Sequence, residues 1–239
     1  MKGQRGKNEF SAGRAAKLIL LKIPALLIAL SLLWVLSLKW LPVLYTPLML
    51  QRSLEYRKDE NFKTLKTWKS LKDISPEMVK AVIASEDNLF SSHNGFDWKS
   101  IDKAISDHKR GKRLRGASTI SQQTAKNVFL FPERTFARKG LEAYFTVLIE
   151  LFWGKERIME VYLNVAEMGR GIYGAEAAAQ THFGHAALKL SRREACLIAA
   201  SLPNPLRRDA GKPSAYVSKR AYDIAALENK LEFPSWVKN

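Results

Sequence analysis

Apolar residues are distributed along this chain in two very different ways. Residues 23–38 form a continuous run without a charged side chain, and further apolar residues extend it on both sides over residues 18–45. Because a membrane-spanning helix needs about 20 predominantly apolar residues, we predict a transmembrane anchor over residues 18–45. A cleaved secretory signal is the alternative, since it also combines a basic start with an apolar run.

Beyond the anchor, apolar residues recur at helical spacing, and sustained two-residue alternation is scarce. Signals for the start of a helix occur at Ser75-Pro76, at Thr135 and at Ser191, where a side-chain oxygen can cap the first turn. These helices are predicted to end near residues 87, 154 and 203, and others to cover residues 155–167, 174–184 and part of 216–231. We therefore predict a mainly α domain over residues 74–239, joined to the anchor by a connector over residues 46–73.

The chain is strongly basic, with 39 Lys and Arg residues against 23 Asp and Glu residues and a net charge of +16. Its 46% of hydrophobic residues exclude a disordered chain, and its single cysteine, Cys196, excludes an intrachain disulfide. Basic residues also dominate the start of the chain, which favours a cytoplasmic tail over residues 1–17 and an outward-facing domain. A non-enzymatic envelope protein that binds nucleic acid or anionic lipid would share this charge.

Glu86 is unusual because it lies among apolar residues of the first predicted helix of the domain. On a helical wheel Val79, Val82 and Ile83 fall within about 60° of it. Burial and the negative end of the helix dipole would both raise the pKa of its carboxyl group. A raised pKa suits a general acid or base that works near neutral pH. The alternative is a buried carboxylate neutralised by an Arg or Lys side chain.

Residues 116–127 form a segment rich in neutral hydrogen-bonding side chains. In helical geometry Thr119, Gln122 and Lys126 share one side, so a hydroxyl, an amide and an ammonium group would meet one polar ligand such as a sugar phosphate. The alternative is a solvated helix face, although such faces are usually built from Lys and Glu.

Glu142 is a second candidate carboxylate, at the border of the apolar face of a predicted helix. Arg138 precedes it by four residues, so an ordinary ion pair within the helix is the alternative to a catalytic role.

Four segments, in order, carry a family resemblance. Residues 86–97 resemble ED-x-x-F-x-x-H-x-G-F-D, residues 116–127 resemble G-x-S-T-I-x-Q-Q-x-x-K-N, residues 138–142 resemble R-K-x-x-E, and residues 155–164 resemble K-x-x-I-x-E-x-Y-L-N. These are motifs of the peptidoglycan glycosyltransferases, glycosyltransferase family 51. The arrangement of basic tail, anchor and single domain is similar to that of the monofunctional biosynthetic members.

The resemblance implies a lysozyme-like, two-lobed helical domain that joins lipid II disaccharide units into a glycan strand and releases undecaprenyl diphosphate. It implies that Glu86 is the catalytic base and that Glu142 assists at the leaving group. The substrate ligands implied are Ser118, Thr119, Gln122, Gln123, Lys126, Asn127, Arg134, Arg138 and Lys155.

The resemblance also sets expectations about cofactors, partners and location. We expect no organic cofactor. Two alternatives stay open for Glu142: it holds a divalent cation, Mg²⁺ or Mn²⁺, or it organises Arg138 and Lys126. The expected partners are lipid II, the growing glycan strand, the membrane and other cell-wall synthesis proteins, and not nucleic acid. The expected location is the inner membrane, with a single span and a periplasmic catalytic domain. A membrane-anchored lytic muramidase of similar fold, with Glu86 as acid, is the alternative enzyme, but cleavage of glycan needs no phosphate site.

Overall fold

The computed structural model describes residues 5–111, 118–133 and 135–237. It divides into two units, Met1–Leu41 and Pro42–Asn239. The first unit contains helix α1 (Arg5–Ser37). Its segment Leu20–Ser37 has a mean hydropathy of 2.2 and is long and apolar enough to cross a membrane. This helix fits the predicted membrane anchor.

The described part of the second unit is built mainly from helices, which confirms the predicted mainly α fold. In chain order its elements are α2 (Pro47–Glu55), β1 (Leu65–Lys66), α3 (Pro76–Glu86), α4 (Trp98–Lys109), α5 (Ile120–Phe129), α6 (Phe136–Phe152), α7 (Gly154–Val165), β2 (Glu167–Gly169), β3 (Ile172–Tyr173), α8 (Gly174–Phe183), α9 (Arg192–Ser201) and α10 (Ala215–Glu228). Two short 3₁₀ turns cover Leu71–Asp73 and Ala187–Lys189.

Side-chain caps begin the helices that the sequence predicted most directly. Ser75 accepts a hydrogen bond from the Glu77 N–H at the start of α3. Thr135 accepts one from the Arg138 N–H at the start of α6, and Ser191 forms a capping box at the start of α9. Each cap satisfies an N–H group that has no partner within its helix, so these three predicted starts are confirmed.

The core is formed where α3 packs against α9 and α10, and where α5 packs against α6 and α7. Fully buried side chains include Met78 in α3, Tyr162 in α7 and Ile198 in α9. Burial of one such aliphatic side chain stabilises the fold by about 1.5 to 3 kcal/mol. The same packing brings the end of α3 against α5, where the candidate carboxylate Glu86 lies.

A small sheet, which was not predicted, completes the second unit. Its strand order is β1-β3-β2, with β1 parallel to β3 and β2 antiparallel to β3. Strands of two or three residues are too short to show two-residue alternation in the sequence. Strand β1 lies within the predicted connector of residues 46–73, so that segment contributes to the sheet.

Candidate active site

The carboxylate of Glu86 lies at the C-terminal end of α3 and is half-buried. Its Oε2 accepts a hydrogen bond of 2.9 Å from Gln123 Nε2 on α5. The other end of that amide, Gln123 Oε1, accepts a bond of 3.4 Å from the Tyr162 hydroxyl on α7. Tyr162 is 1% exposed, so a buried side chain fixes the amide that in turn orients the carboxylate.

Burial raises the pKa of the Glu86 carboxyl group above its usual value, and the neighbouring charge of Asp87 adds to this effect. The hydrogen bond from Gln123 and the positive charges of Arg220 and Lys126 oppose it. The net direction is upward, as the apolar arc in the sequence predicted. A raised pKa of this kind favours a role as general acid or base.

Asp87, the neighbour of Glu86, ties α3 to the start of α5. Its carboxylate oxygens lie 2.9 and 3.0 Å from His93 Nε2, and Oδ2 also accepts from the Ile120 N–H at 3.0 Å. His93 Nδ1 accepts from the Gly95 N–H at 3.1 Å, so the network assigns the ring proton to Nε2. These contacts fix the position of α3, which carries Glu86, relative to α5, which carries Gln123.

Gly95 allows a close approach between this segment and α6. Its φ is +89°, and a Cβ there would lie 2.8 Å from Thr146 Cγ2, so a side chain would be strained and would clash. Its carbonyl oxygen accepts a 2.6 Å bond from the Thr119 hydroxyl. Gly95 therefore positions Thr119, the residue that caps the start of α5.

Thr119 and Gln122 form a capping box at the start of α5. They are 2% and 5% exposed, and their hydrogen bonds are made to each other's backbone and to Gly95. These bonds already engage the Thr119 hydroxyl and the Gln122 carbonyl oxygen, and the convergence of both side chains with Lys126 on one ligand stays a prediction. Their contact with substrate stays a prediction.

A cationic cluster, which we define as Lys126, Arg138 and Lys139, surrounds Glu142. The Glu142 side chain is buried, and its Oε2 accepts a 2.6 Å bond from Arg138 Nη1. Lys139 Nζ contacts Oε1. The ion pair between Arg138 and Glu142 that the four-residue spacing suggested is therefore present. Another donor of the same guanidinium group, Arg138 Nε, is buried and has no partner among the described residues.

Lys126 connects the two carboxylates electrostatically. Burial lowers the pKa of its ammonium group; Glu142 and, more weakly, Glu86 favour the charged form, while Arg138 and Lys139 oppose it. One carboxylate, Glu142, thus faces three cationic side chains. The excess positive charge suits an anionic ligand that carries more than one negative charge.

The donor set around Glu142 does not fit a resident Mg²⁺ or Mn²⁺ ion. Both of its carboxylate oxygens already accept hydrogen bonds from cations. Among the residues that the structure describes, no three His, Cys, Asp or Glu side chains form a group that could hold a metal. The divalent cation stays a prediction.

Lys155 lies apart from this cationic cluster. Its Nζ donates to Glu150 Oε1 at 2.6 Å and lies 4.6 Å from the centre of the Phe90 ring. The Ser121 hydroxyl donates to the same Glu150 oxygen. The structure thus places Lys155 in an internal ion pair that links α5, α6 and α7.

The remaining predicted ligands have different surroundings. Ser118 is exposed just before α5, and Asn127 is buried within it. Arg134 lies outside the described residues, as does most of the basic segment of residues 109–115. The structure therefore brings Glu86, Gln123 and Lys126 together, and it joins Lys126 to Arg138 and Glu142.

Arg220 on α10 is a neighbour of Glu86 that sequence reasoning missed. Its positive charge favours the ionised form of Glu86, and its Nε is buried without a partner among the described residues. It lies outside the four motif segments, and only the packing of α10 on α3 brings it near. No local pattern in the sequence indicated this contact.

Comparison with known proteins identifies the family of this chain. A family model described as Transglycosylase matches residues 54–227. Among relatives named biosynthetic peptidoglycan transglycosylase, the Bacteroides thetaiotaomicron protein is 56% identical over 82% of this chain and 80% of its own length. Those of Stutzerimonas stutzeri and Caulobacter vibrioides are 53% and 47% identical over 82% and 88% of this chain, and 81% and 90% of their own lengths. The chain therefore belongs to the transglycosylase family, and it is a peptidoglycan glycosyltransferase.

Proposed function

We propose that this enzyme polymerises glycan strands by joining the disaccharide units of lipid II, with inversion at the reacting carbon and release of undecaprenyl diphosphate. One observation carries the proposal. A carboxyl group with a raised pKa, Glu86, lies within electrostatic reach of a buried ammonium, Lys126, which also interacts with the Glu142 carboxylate. A proton acceptor and a site for a multivalent anion are thereby adjacent.

Glu86 accepts the proton of the incoming 4-hydroxyl group as that oxygen attacks the sugar carbon bonded to the diphosphate. The hydrogen bond from Gln123 holds one carboxylate oxygen and leaves the other to meet the hydroxyl group. Positioned base catalysis of this kind contributes about 10² to 10⁴ in rate. The raised pKa makes Glu86 a stronger base than an ordinary surface carboxylate.

The cationic cluster stabilises the departing diphosphate. Negative charge grows on this group as its bond to the sugar carbon breaks and the new glycosidic bond forms, and preorganised cationic donors stabilise such charge most effectively. Arg138 offers its unpartnered Nε, and Lys126 offers a buried ammonium group. Glu142 serves as the counter-charge that keeps these cations together before substrate binds.

Helix α1 anchors the enzyme in the inner membrane with a single span, and the catalytic domain faces the periplasm. The basic start of the chain supports this orientation. Since a substrate on a polyprenyl tail cannot leave the membrane, an anchored catalytic domain meets it at a high effective concentration.

An assay with purified lipid II tests the proposal against both alternatives. Our expectation is growth of a glycan polymer that a Glu86→Gln variant does not produce. A lytic muramidase would instead shorten preformed glycan and leave lipid II unchanged. A non-enzymatic binding protein would do neither, and either of these two results would contradict the proposal. The cationic cluster argues against cleavage, because hydrolysis of glycan produces no phosphate anion.

A further inference from the structure

A surface cavity outside the four motifs lies between the β2–β3 turn, the end of α8 and the loop of residues 205–212. Its volume is about 420 Å³, within the range of pockets that hold small ligands. Arg170, Arg207, Arg208 and Lys212 line it, so its walls are strongly cationic.

His182, in the last turn of α8, also lines the cavity. Its side chain is 9% exposed, and its Nδ1 lies 3.2 Å from Asp209 Oδ1. Its Nε2 is buried and has no hydrogen-bond partner among the described residues. Each ring nitrogen of a histidine is a hydrogen-bonding group, so one can face Asp209 while the other is available to a polar ligand.

The loop holds this ring in place and uses the negative charge of Asp209 to do so. Asp209 Oδ1 accepts hydrogen bonds from the backbone N–H groups of Gly211 and Lys212, at 2.8 and 3.1 Å. A Cβ at residue 211 would lie 3.1 Å from His182 Nδ1, so the absence of a side chain permits this close approach. The carboxylate is therefore engaged by the loop and by His182 rather than by the arginines.

The cations of the cavity are of three kinds. Arg170 is already paired with the Asp59 carboxylate. Arg208 is fixed, because Nη1 donates to the Ala200 carbonyl at 3.2 Å and its guanidinium lies over the Tyr216 ring. Arg207 and Lys212 are exposed, and no ion pair joins them to other residues within the described ranges. The cavity thus combines a fixed guanidinium donor, Arg208, with two exposed cations, Arg207 and Lys212, that can contact a ligand.

We propose that this cavity is a phosphate-binding site, occupied by the headgroup of an anionic phospholipid or by free inorganic phosphate. Arg207, Arg208 and Lys212 have no carboxylate partner within the described ranges, so they supply positive charge that neither Asp59 nor Asp209 neutralises. A phosphate group accepts several such charged hydrogen bonds at once. The site goes beyond the proposed function, since glycosyl transfer uses none of its residues.

The histidine ring signals of the full chain, held in lipid nanodiscs, give a direct test. Only four histidines are present, so isotope labelling of their rings reports on His182 separately. With inorganic phosphate we expect a saturable change at His182. Arg207→Glu should weaken it at least about tenfold, because a charge-assisted hydrogen bond is lost. Lys189→Glu, the same charge change at an exposed residue outside the cavity, should have no such effect.

Two nanodisc compositions distinguish the sources of phosphate. A change at His182 in phosphatidylglycerol but not phosphatidylcholine, without added phosphate, would identify a lipid headgroup. A change only on addition of inorganic phosphate would identify the free anion. No saturable change at His182 in any condition, or equal losses in both charge-reversal variants, would overturn the proposal. Because no turnover is measured, such a failure would leave the proposed polymerisation unaffected.

Discussion

Gln123 Nε2 donates a 2.9 Å hydrogen bond to Glu86 Oε2, so an amide on one motif segment orients the carboxylate on another. The bond opposes the effect of burial, which raises the pKa of Glu86. Glu86 therefore combines a raised pKa with a fixed orientation, and this combination is what a base that acts on one hydroxyl group requires.

Replacement of Gln123 by Leu should move the acid limb of the pH–rate profile to higher pH. Loss of a hydrogen bond to the carboxylate favours the protonated form, because a charged hydrogen bond of this kind stabilises the ionised group by about 1.5 to 3 kcal/mol. The measurement is the pH dependence of kcat/KM with lipid II. Arg220→Ala should shift the limb in the same direction, since its positive charge also favours ionised Glu86.

Gln180→Leu is a matched control for this experiment. Gln180 Nε2 donates a 3.2 Å hydrogen bond to the Glu176 carboxylate, and both residues lie on α8 rather than on α3 or α5. We expect its pH–rate profile to be unchanged. An unmoved acid limb in Gln123→Leu would mean that this hydrogen bond does not tune the base.

Glu142→Gln should destabilise the protein by roughly 3 kcal/mol, because it leaves the cationic cluster without its buried counter-charge. Inorganic diphosphate should raise the melting temperature of this variant more than that of the unmodified enzyme, since the anion replaces the missing charge. Glu60→Gln, at an exposed carboxylate, is the control. Equal melting temperatures of Glu142→Gln and Glu60→Gln would contradict the assigned role.

Lys126→Met should reduce turnover of lipid II by about 10 to 150-fold, the effect of one lost charged hydrogen bond. Its stability should hold or rise, because the substitution removes a buried ammonium group whose pKa burial lowers. Turnover and melting temperature are measured on the same preparation, with Lys230→Met as an exposed control. Normal turnover of the Lys126→Met enzyme would remove this residue from the diphosphate site.

Lys155→Met should lower stability more than catalysis, because Glu150 loses its 2.6 Å partner inside the fold. Lys155→Arg keeps the charge and should restore most of the melting temperature. KM for lipid II then separates the two interpretations of this residue. A large rise in KM with an unchanged melting temperature would support the substrate contact that the motif predicts, and would contradict the structural role.

The features that the sequence predicted depend on contacts within one helix turn. The cap of α3 at Ser75 and the four-residue spacing of Arg138 and Glu142 are of this kind. The position of Glu86 on an apolar arc follows from helical periodicity alone. Local geometry is enough to place each of them.

Other features could not be predicted, because they depend on packing between segments that are distant along the chain. Arg220 reaches Glu86 only through the packing of α10 on α3. The sheet joins β1 in the predicted connector to β3, more than a hundred residues later. The pair of Lys155 and Glu150 escaped prediction for a different reason, because these neighbouring residues meet across the break between α6 and α7, where helical spacing no longer applies.

Glu86→Gln, assayed for lipid II polymerisation and for melting temperature on one preparation, tests whether Glu86 is the catalytic base. We expect polymerisation to fall at least about 100-fold. Because the pKa of Glu86 is raised in the native state, the native state loses stability as pH increases from the ordinary pKa of a carboxyl group through the raised one. Glu86→Gln removes this loss, so the stability of the variant should hold or rise at neutral pH. The amide has no such dependence. A variant that melts early yet polymerises normally per folded molecule would contradict the assignment of Glu86 as the catalytic base.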